Sequence, residues 1–235
     1  MIAPAARRVL LFDIDGTLLW TDGAGRRSME HALMTTFGVH GDPTYRYDGK
    51  TDRQITREQM RAAGIDDATI DARLDEVFAL YLERLDAELT ANPANARLCA
   101  GVPALLARLS AVPQVTLGLL TGNIREGAAR KLAAVGVEFT QFAVGAFGCD
   151  HEQRPMLPAV AQRRAIDLLG HDIPGSQFVI IGDTPADLHC GRGIGVRAFG
   201  VATGRYTVSD LAEHEPAGVF ATLEDTDAVV EALIQ

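Results

Sequence analysis

Lysine is nearly missing from this chain: Lys50 and Lys131 are the only two among 22 basic side chains. Positive charge is in deficit as well, with 31 acidic residues against 22 basic ones and a net charge of −9. A surface for nucleic acid or for an anionic membrane needs the opposite balance, so neither partner is expected. An anionic small substrate stays open, because a site can import positive charge as a metal ion. Cysteine is scarce too. Cys99, Cys149 and Cys190 are far apart, with no CxxC pair and no Cys/His ligand spacing, which argues against a disulfide framework and a zinc site. As small apolar residues they suit buried positions. No run reaches the roughly eighteen apolar residues of a membrane span. Arg7-Arg8 before Val9-Leu10-Leu11-Phe12 imitates the start of a signal peptide, but Asp13 and Asp15 interrupt it too early. A reducing cytoplasm is the expected compartment.

What is present is a regular alternation. Five short aliphatic runs recur: Val9–Phe12, Val115–Leu120, Phe139–Val144, Phe178–Ile181 and Val196–Val201. Their near-continuous hydrophobicity fits strands buried on both faces of a parallel sheet. Helical patterns over Ile124–Val135, Leu157–Leu169 and Ala186–Gly193 fall between the later runs, which predicts βαβ units in an open α/β sheet. The interval between the first two runs breaks the alternation. It holds three helical candidates, Arg26–Phe37, Arg53–Ala63 and Ala68–Leu89, and Ile70, Leu74, Val77, Phe78, Tyr81 and Leu85 form one apolar stripe along the last. Asn92-Pro93-Ala94-Asn95 breaks that helix and reads as a return linker. The expected organisation is a core of residues 1–20 and 98–235, with residues 21–97 as a helical cap. In an open parallel sheet ligands bind beyond the carboxyl ends of the strands, so a module inserted there sits over the crevice.

The chemistry-bearing residues stand at those strand ends. Asp13-Ile14-Asp15-Gly16-Thr17-Leu18 follows the first run, and alternate residues of an extended chain point the same way. Paired carboxylates at the end of an apolar strand repel and resist desolvation unless a cation compensates, and oxygen ligands suit Mg²⁺. A turn would account for Asp15 and Gly16 but leaves Asp13 without a role. Thr121-Gly122-Asn123 ends the second run; it serves equally as a helix cap or as an anion cradle at a helix start. In Gly182-Asp183-Thr184-Pro185-Ala186-Asp187, helix capping explains Thr184, Pro185 and Asp187 but not Asp183. Carboxylates converging from separate strands look like a metal site. His31, His40, His151, His171, His189 and His214 show no ligand spacing and are assigned no role.

These motifs, in this order and over nearly the whole chain, resemble the Mg²⁺-dependent phosphatases of the haloacid dehalogenase superfamily, with a helical cap after strand one. Gly49-Lys50-Thr51-Asp52-Arg53 is similar to phosphoglycolate-phosphatase-like members. The resemblance implies a Rossmann-like core, with Asp13 as nucleophile forming an aspartyl-phosphate and Asp15 as acid and then base. It implies Mg²⁺ held by Asp13, the backbone carbonyl of Asp15 and Asp183, with Asp187 in direct or indirect support. Thr121, Gly122 and Asn123 would hold phosphoryl oxygens. The superfamily's usual third-motif lysine is absent, since no lysine follows Lys131. Arg154-Pro155 occupies its place, so Arg154 is expected to bridge nucleophile and phosphate, clamping the phosphate in a bidentate way, with Arg164 as the alternative. Lys50 and Arg53 in the cap are expected to meet the remote part of the substrate.

The expected activity is therefore hydrolysis of a small phosphorylated metabolite, with phosphoglycolate as the first guess. A phosphoglucomutase-like phosphotransferase of the same superfamily would use the same aspartates. A non-enzymatic receiver domain that accepts phosphate on aspartate would also use acidic residues and Mg²⁺. It would be about half as long, would lack the insert and would carry its acceptor on a middle strand.

Overall fold

Val9–Phe12 is apolar at every position, and such a strand is stable only where both of its faces are covered. In the computed structural model, which describes residues 7–235, β1 (Arg8–Phe12) lies near the middle of a sheet with Val9, Leu10, Leu11 and Phe12 fully buried. The chain leaves and re-enters this region through a small antiparallel ribbon. Its strands are β2 (Leu19–Trp20) and β3 (Arg97–Leu98), which pair Leu19 with Leu98 and Trp20 with Arg97.

Between them stands the helical insert, α1 (Ala24–Phe37), α2 (Asp52–Ala62) and α3 (Asp67–Ala91). The α3 stripe buries Ile70, Leu74, Val77, Tyr81 and Leu85 as its spacing predicts, against Met29, Ala32 and Leu33 of α1. This insert thus has an apolar cluster of its own, joined from the core by Ile124.

The rest of the chain winds outward on both sides of β1. After α4 (Val102–Ser110), β4 (Val115–Leu120) pairs in parallel with β1; α5 (Arg125–Ala134) then leads to β5 (Val144–Ala146) at one edge. The chain returns through α6 (Leu157–Leu169) to β6 (Phe178–Gly182) on the other side of β1. It continues through α7 (Pro185–Cys190), β7 (Arg197–Val201), α8 (Val208–Ala212), β8 (Gly218–Phe220) and α9 (Thr226–Ile234). All neighbours in the order β5-β4-β1-β6-β7-β8 are parallel. Because β4 and β6 flank β1, the winding reverses there, and a crevice opens at the carboxyl ends of these three strands. Leu10 and Phe12 face α4 and α9, whereas Val9 and Leu11 face α6 and α7. Among the described residues no helix is long and apolar enough to cross a membrane.

Two expectations need adjustment. Phe139–Val144 is not one strand: Phe139–Gln141 is a 3₁₀ turn, and pairing begins at Val144. Thr140 and Gln141 interrupt the apolar run, and Phe139 serves by stacking on Phe147 with ring centroids 6.0 Å apart. The sheet also gains a sixth strand, β8, whose three residues lack the aliphatic run that marks the others.

The insert is seated on the core by backbone contacts. Asp52 N donates to the Gly122 carbonyl at 2.8 Å, and a Cβ at Gly122 would lie 1.9 Å from the Lys50 carbonyl oxygen. Beside this seat, Thr51 Oγ1 donates to the Glu152 carbonyl (2.6 Å) and Arg57 pairs with the Glu152 carboxylate (2.6 Å). Leu10 tests the core: Leu10→Ala should lower the unfolding free energy by about 3 kcal/mol, read as a reduced urea midpoint at unchanged m-value.

Candidate active site

The crevice collects one loop from each of the three central strands. Asp13 directly follows β1, its N–H donating to the Ile181 carbonyl at 2.9 Å, so its position is set by the sheet itself. Asp183 follows β6, and Asp187 lies in the first turn of α7, where Thr184 and Asp187 form a reciprocal capping box with Pro185 in the same turn. Capping and site-building are therefore both served by Asp187. Oxygens of Asp13, Asp183 and Asp187 all lie within 4.8 Å of one another, and the three residues are buried.

Such a group is electrostatically costly. Burial pushes the Asp13 carboxyl up to about 7 against the pull of Arg154, with Asp187 adding to the rise. Asp183 is driven well above the ordinary range by burial and then by Asp13. Arg154 offsets part of this cost from a 3₁₀ turn ahead of α6. Its Nη2 donates to Asp13 Oδ1 at 2.8 Å, to Asp187 Oδ1 and to the Leu120 carbonyl at 3.3 Å. Burial opposes its charge, but Asp187 and Asp13 hold Arg154 above its usual range. One nitrogen makes all three contacts while Nε is buried without a partner, so toward the protein the guanidinium acts as a point charge. Arg164, the other candidate, is committed to Asp150 at 2.7 Å and to the Gly145 carbonyl.

Three carboxylates facing one guanidinium leave negative charge in excess, and an all-oxygen donor set suits a hard divalent cation. Glycine permits the close approach: a Cβ on Gly16, whose φ is +87°, would stand 2.4 Å from Asp183 Oδ2. Thr17 Oγ1 donates to the other oxygen of Asp183 at 3.1 Å. The residues present fit Mg²⁺.

Asp15 is placed differently. Its carboxylate is not in the acidic trio; Lys131 Nζ reaches its two oxygens at 2.8 and 2.7 Å, and Asn123 Nδ2 donates to it at 2.7 Å. Lys131 also donates to Asn123 Oδ1 at 2.6 Å, and Asn123 Nδ2 to Thr121 Oγ1 at 2.8 Å. Thr121 and Asn123 do not cap α5, which begins without a side-chain cap. The free N–H of Ile124 instead donates to Asp52 Oδ2 from the insert at 2.8 Å, and burial pushes Asp52 up to about 6 despite Lys131.

These groups open into a cavity of about 480 Å³ between core and insert. Asp13, Asp15, Thr121, Gly122, Asn123, Arg154 and Asp183 line it from the core, and Arg26, Tyr45, Tyr47, Lys50, Asp52 and Tyr81 from the insert. Lys50 is thus at the cavity, paired with Glu58 at 2.5 Å. Arg53 is not; it turns toward the Cys149 carbonyl, 3.4 Å away. Lys131 and Asp52 were missed by sequence reasoning. The signal for Lys131 was available: it is a lysine on the helix face that buries Gly127, Ala128 and Leu132. Asp52 looks like an ordinary acidic residue in a first helical turn.

Residues 10–201 match the family described as haloacid dehalogenase-like hydrolase. No curated protein sequence matches the chain. Its fold superimposes on a hydrolase from Pseudomonas syringae with a TM-score of 0.70 at 16% identity, covering 96% of this chain and 98% of that one. It superimposes on a predicted phosphoglycolate phosphatase from Haemophilus somnus at 0.66 and 17% identity (97% and 99% covered). CbbY from Rhodobacter sphaeroides, in complex with phosphate, gives 0.62 at 19% identity (93% and 96% covered). At these identities the likeness is one of fold.

The geometry around Arg154 predicts an asymmetry. Arg154→Met strands buried carboxylates and should cost about 3–5 kcal/mol in denaturant unfolding. Arg154→Lys should recover most of the loss, since one donor nitrogen makes the native contacts.

Proposed function

The chain belongs to the haloacid dehalogenase-like hydrolase family, and we propose that it is a Mg²⁺-dependent phosphomonoesterase acting on a small phosphorylated metabolite. The observation that carries this reading is the division of labour among the carboxylates. Asp13 sits with Asp183 and Asp187, whereas Asp15 stands apart under Lys131 and Asn123. This separation supports a reading in which Asp13 attacks and Asp15 handles the proton.

In this mechanism a carboxylate oxygen of Asp13 attacks phosphorus as the bond to the leaving oxygen breaks. Asp15, entering this step protonated, delivers that proton to the leaving oxygen and is left as the carboxylate. Water then attacks the aspartyl-phosphate, Asp15 takes the water's proton, and phosphate departs with Asp13 restored. Lys131 and Asn123 fix the direction of the Asp15 carboxylate. Arg154, whose contacts with the protein all use Nη2, has donor capacity left on Nη1 for a phosphoryl oxygen. Thr121 and the amides beside it supply further donors. Mg²⁺, held by Asp13, Asp183, the Asp15 backbone carbonyl and Asp187 directly or through water, would neutralise charge on the transferring group. Three free cysteines, none of them exposed, suit a reducing cytoplasm.

The test is release of p-nitrophenol from p-nitrophenyl phosphate with Mg²⁺ and with EDTA. Turnover should require the metal, and Asp13→Asn should lower it by on the order of 10³-fold or more. Metal-independent turnover, or full activity in Asp13→Asn, overturns the reading. Lys131→Met should reduce kcat by about 10²-fold with little change in KM, the signature of a misdirected rather than a missing group.

A further inference from the structure

Repelling carboxylates can part by rotating their side chains even where the backbone is fixed. Of the three in the site, Asp183 is the least restrained by charge. Asp13 and Asp187 are each paired with Arg154. Among the described residues Asp183 pairs with no cation, and it accepts only from the neutral hydroxyl of Thr17 at 3.1 Å. Burial, Asp13 and Asp187 all act against its charge. Its direction toward the other two therefore needs another cause.

That cause is steric, and two glycines supply it. A Cβ on Gly16 would stand 2.4 Å from Asp183 Oδ2, 2.7 Å from Cγ and 2.9 Å from Oδ1. A Cβ on Gly204 would stand 1.8 Å from Oδ2, 2.6 Å from Cγ and 3.0 Å from Cβ. Unstrained contact needs about 3.5 Å or more, so main chain from two separate loops lies directly against the carboxyl group. Gly204 is outside the left-handed region, so it is the carboxylate, not the backbone, that excludes a side chain there. Its loop follows β7, which runs parallel to β6 and so ends on the same side of the sheet as Asp183. Thr203 joins the two walls: its Oγ1 donates to the Gly16 carbonyl at 2.6 Å. The Thr203 carbonyl in turn accepts from Trp20 Nε1 at 3.0 Å, from β2 at the root of the insert.

We propose that Thr203 and Gly204 are positioning residues for the divalent cation. With Gly16 they form a slot that keeps Asp183 turned toward Asp13 and Asp187 before any cation arrives. The inference rests on the Mg²⁺-dependent reading of these carboxylates. The work of gathering like charges is then done by folding and is not subtracted from cation affinity. If a loosened slot leaves Asp183 correctly turned in about a tenth of the molecules, the apparent Kd rises about tenfold.

The experiment titrates Mg²⁺ alone into the full chain, freed of metal with EDTA, and reads Kd by calorimetry with no ester present. Gly204→Ala should raise Kd by about tenfold or more, and Thr203→Val by about three- to tenfold. Thr203→Ser, which keeps the hydroxyl, should stay within about twofold of the wild type. Should Gly204→Ala fail to fold, the two Thr203 variants carry the test. A merely structural role would lower the urea midpoint in EDTA and leave Kd unchanged, and that result overturns the proposal. Thr203→Ser binding as weakly as Thr203→Val overturns it as well. A wild type that binds no Mg²⁺ overturns the metal-dependent reading together with the slot, whereas equal affinity in wild type and variants sinks the slot alone.

Discussion

The mutual repulsion of Asp13, Asp183 and Asp187 is the constraint around which this protein is arranged. The strands that carry the first two are buried on both faces, so their ends cannot splay apart to relieve the charge. The third is fixed by the capping box that starts α7. With backbone relaxation closed off, compensation has to come from cations brought to the site. Arg154 supplies one, from a turn that follows β5 in the chain. The residual charge asks for a second that the chain does not itself provide.

The same economy organises the neighbouring carboxylate. Asp15 is two residues from Asp13 but belongs to a different electrostatic neighbourhood, closed by Lys131 and Asn123. Two acids separated by a single residue are thereby given different environments, which is the general way a protein assigns different tasks to chemically identical groups. The insert reaches into this neighbourhood through Asp52, whose carboxylate accepts from Ile124 N–H at the start of the core helix α5.

What could be read from sequence was what is encoded locally. Asp13 and Asp183 stand at the ends of aliphatic runs, and their placement follows once those runs are parallel strands. Leu157–Leu169 was bounded correctly because Pro158 lies in its first turn and Gly170 follows in a left-handed conformation. Contacts across long separations were not legible. Lys131 could be singled out as a lysine on the apolar face of a helix, but that it meets Asp15 from another element follows only from the packing of α5. Arg53 and Asp52 show the limit most clearly. They are adjacent on α2, and about 100° of helical rotation sends one to the Cys149 carbonyl and the other to α5. A basic residue near the mouth was therefore the natural expectation, and its acidic neighbour was the one that turned inward.

The seat of the insert at Gly122 has an implication for how such a protein diversifies. Main chain lies directly against main chain there, with no room for even one carbon between Gly122 and the Lys50 carbonyl. Docking of this kind demands glycine at position 122 but reads no side chain of the insert at the point of closest approach. Tyr45, Tyr47 and Arg26 can thus be exchanged while the insert keeps its seat, so the far wall of the cavity can change independently of the carboxylates beneath it.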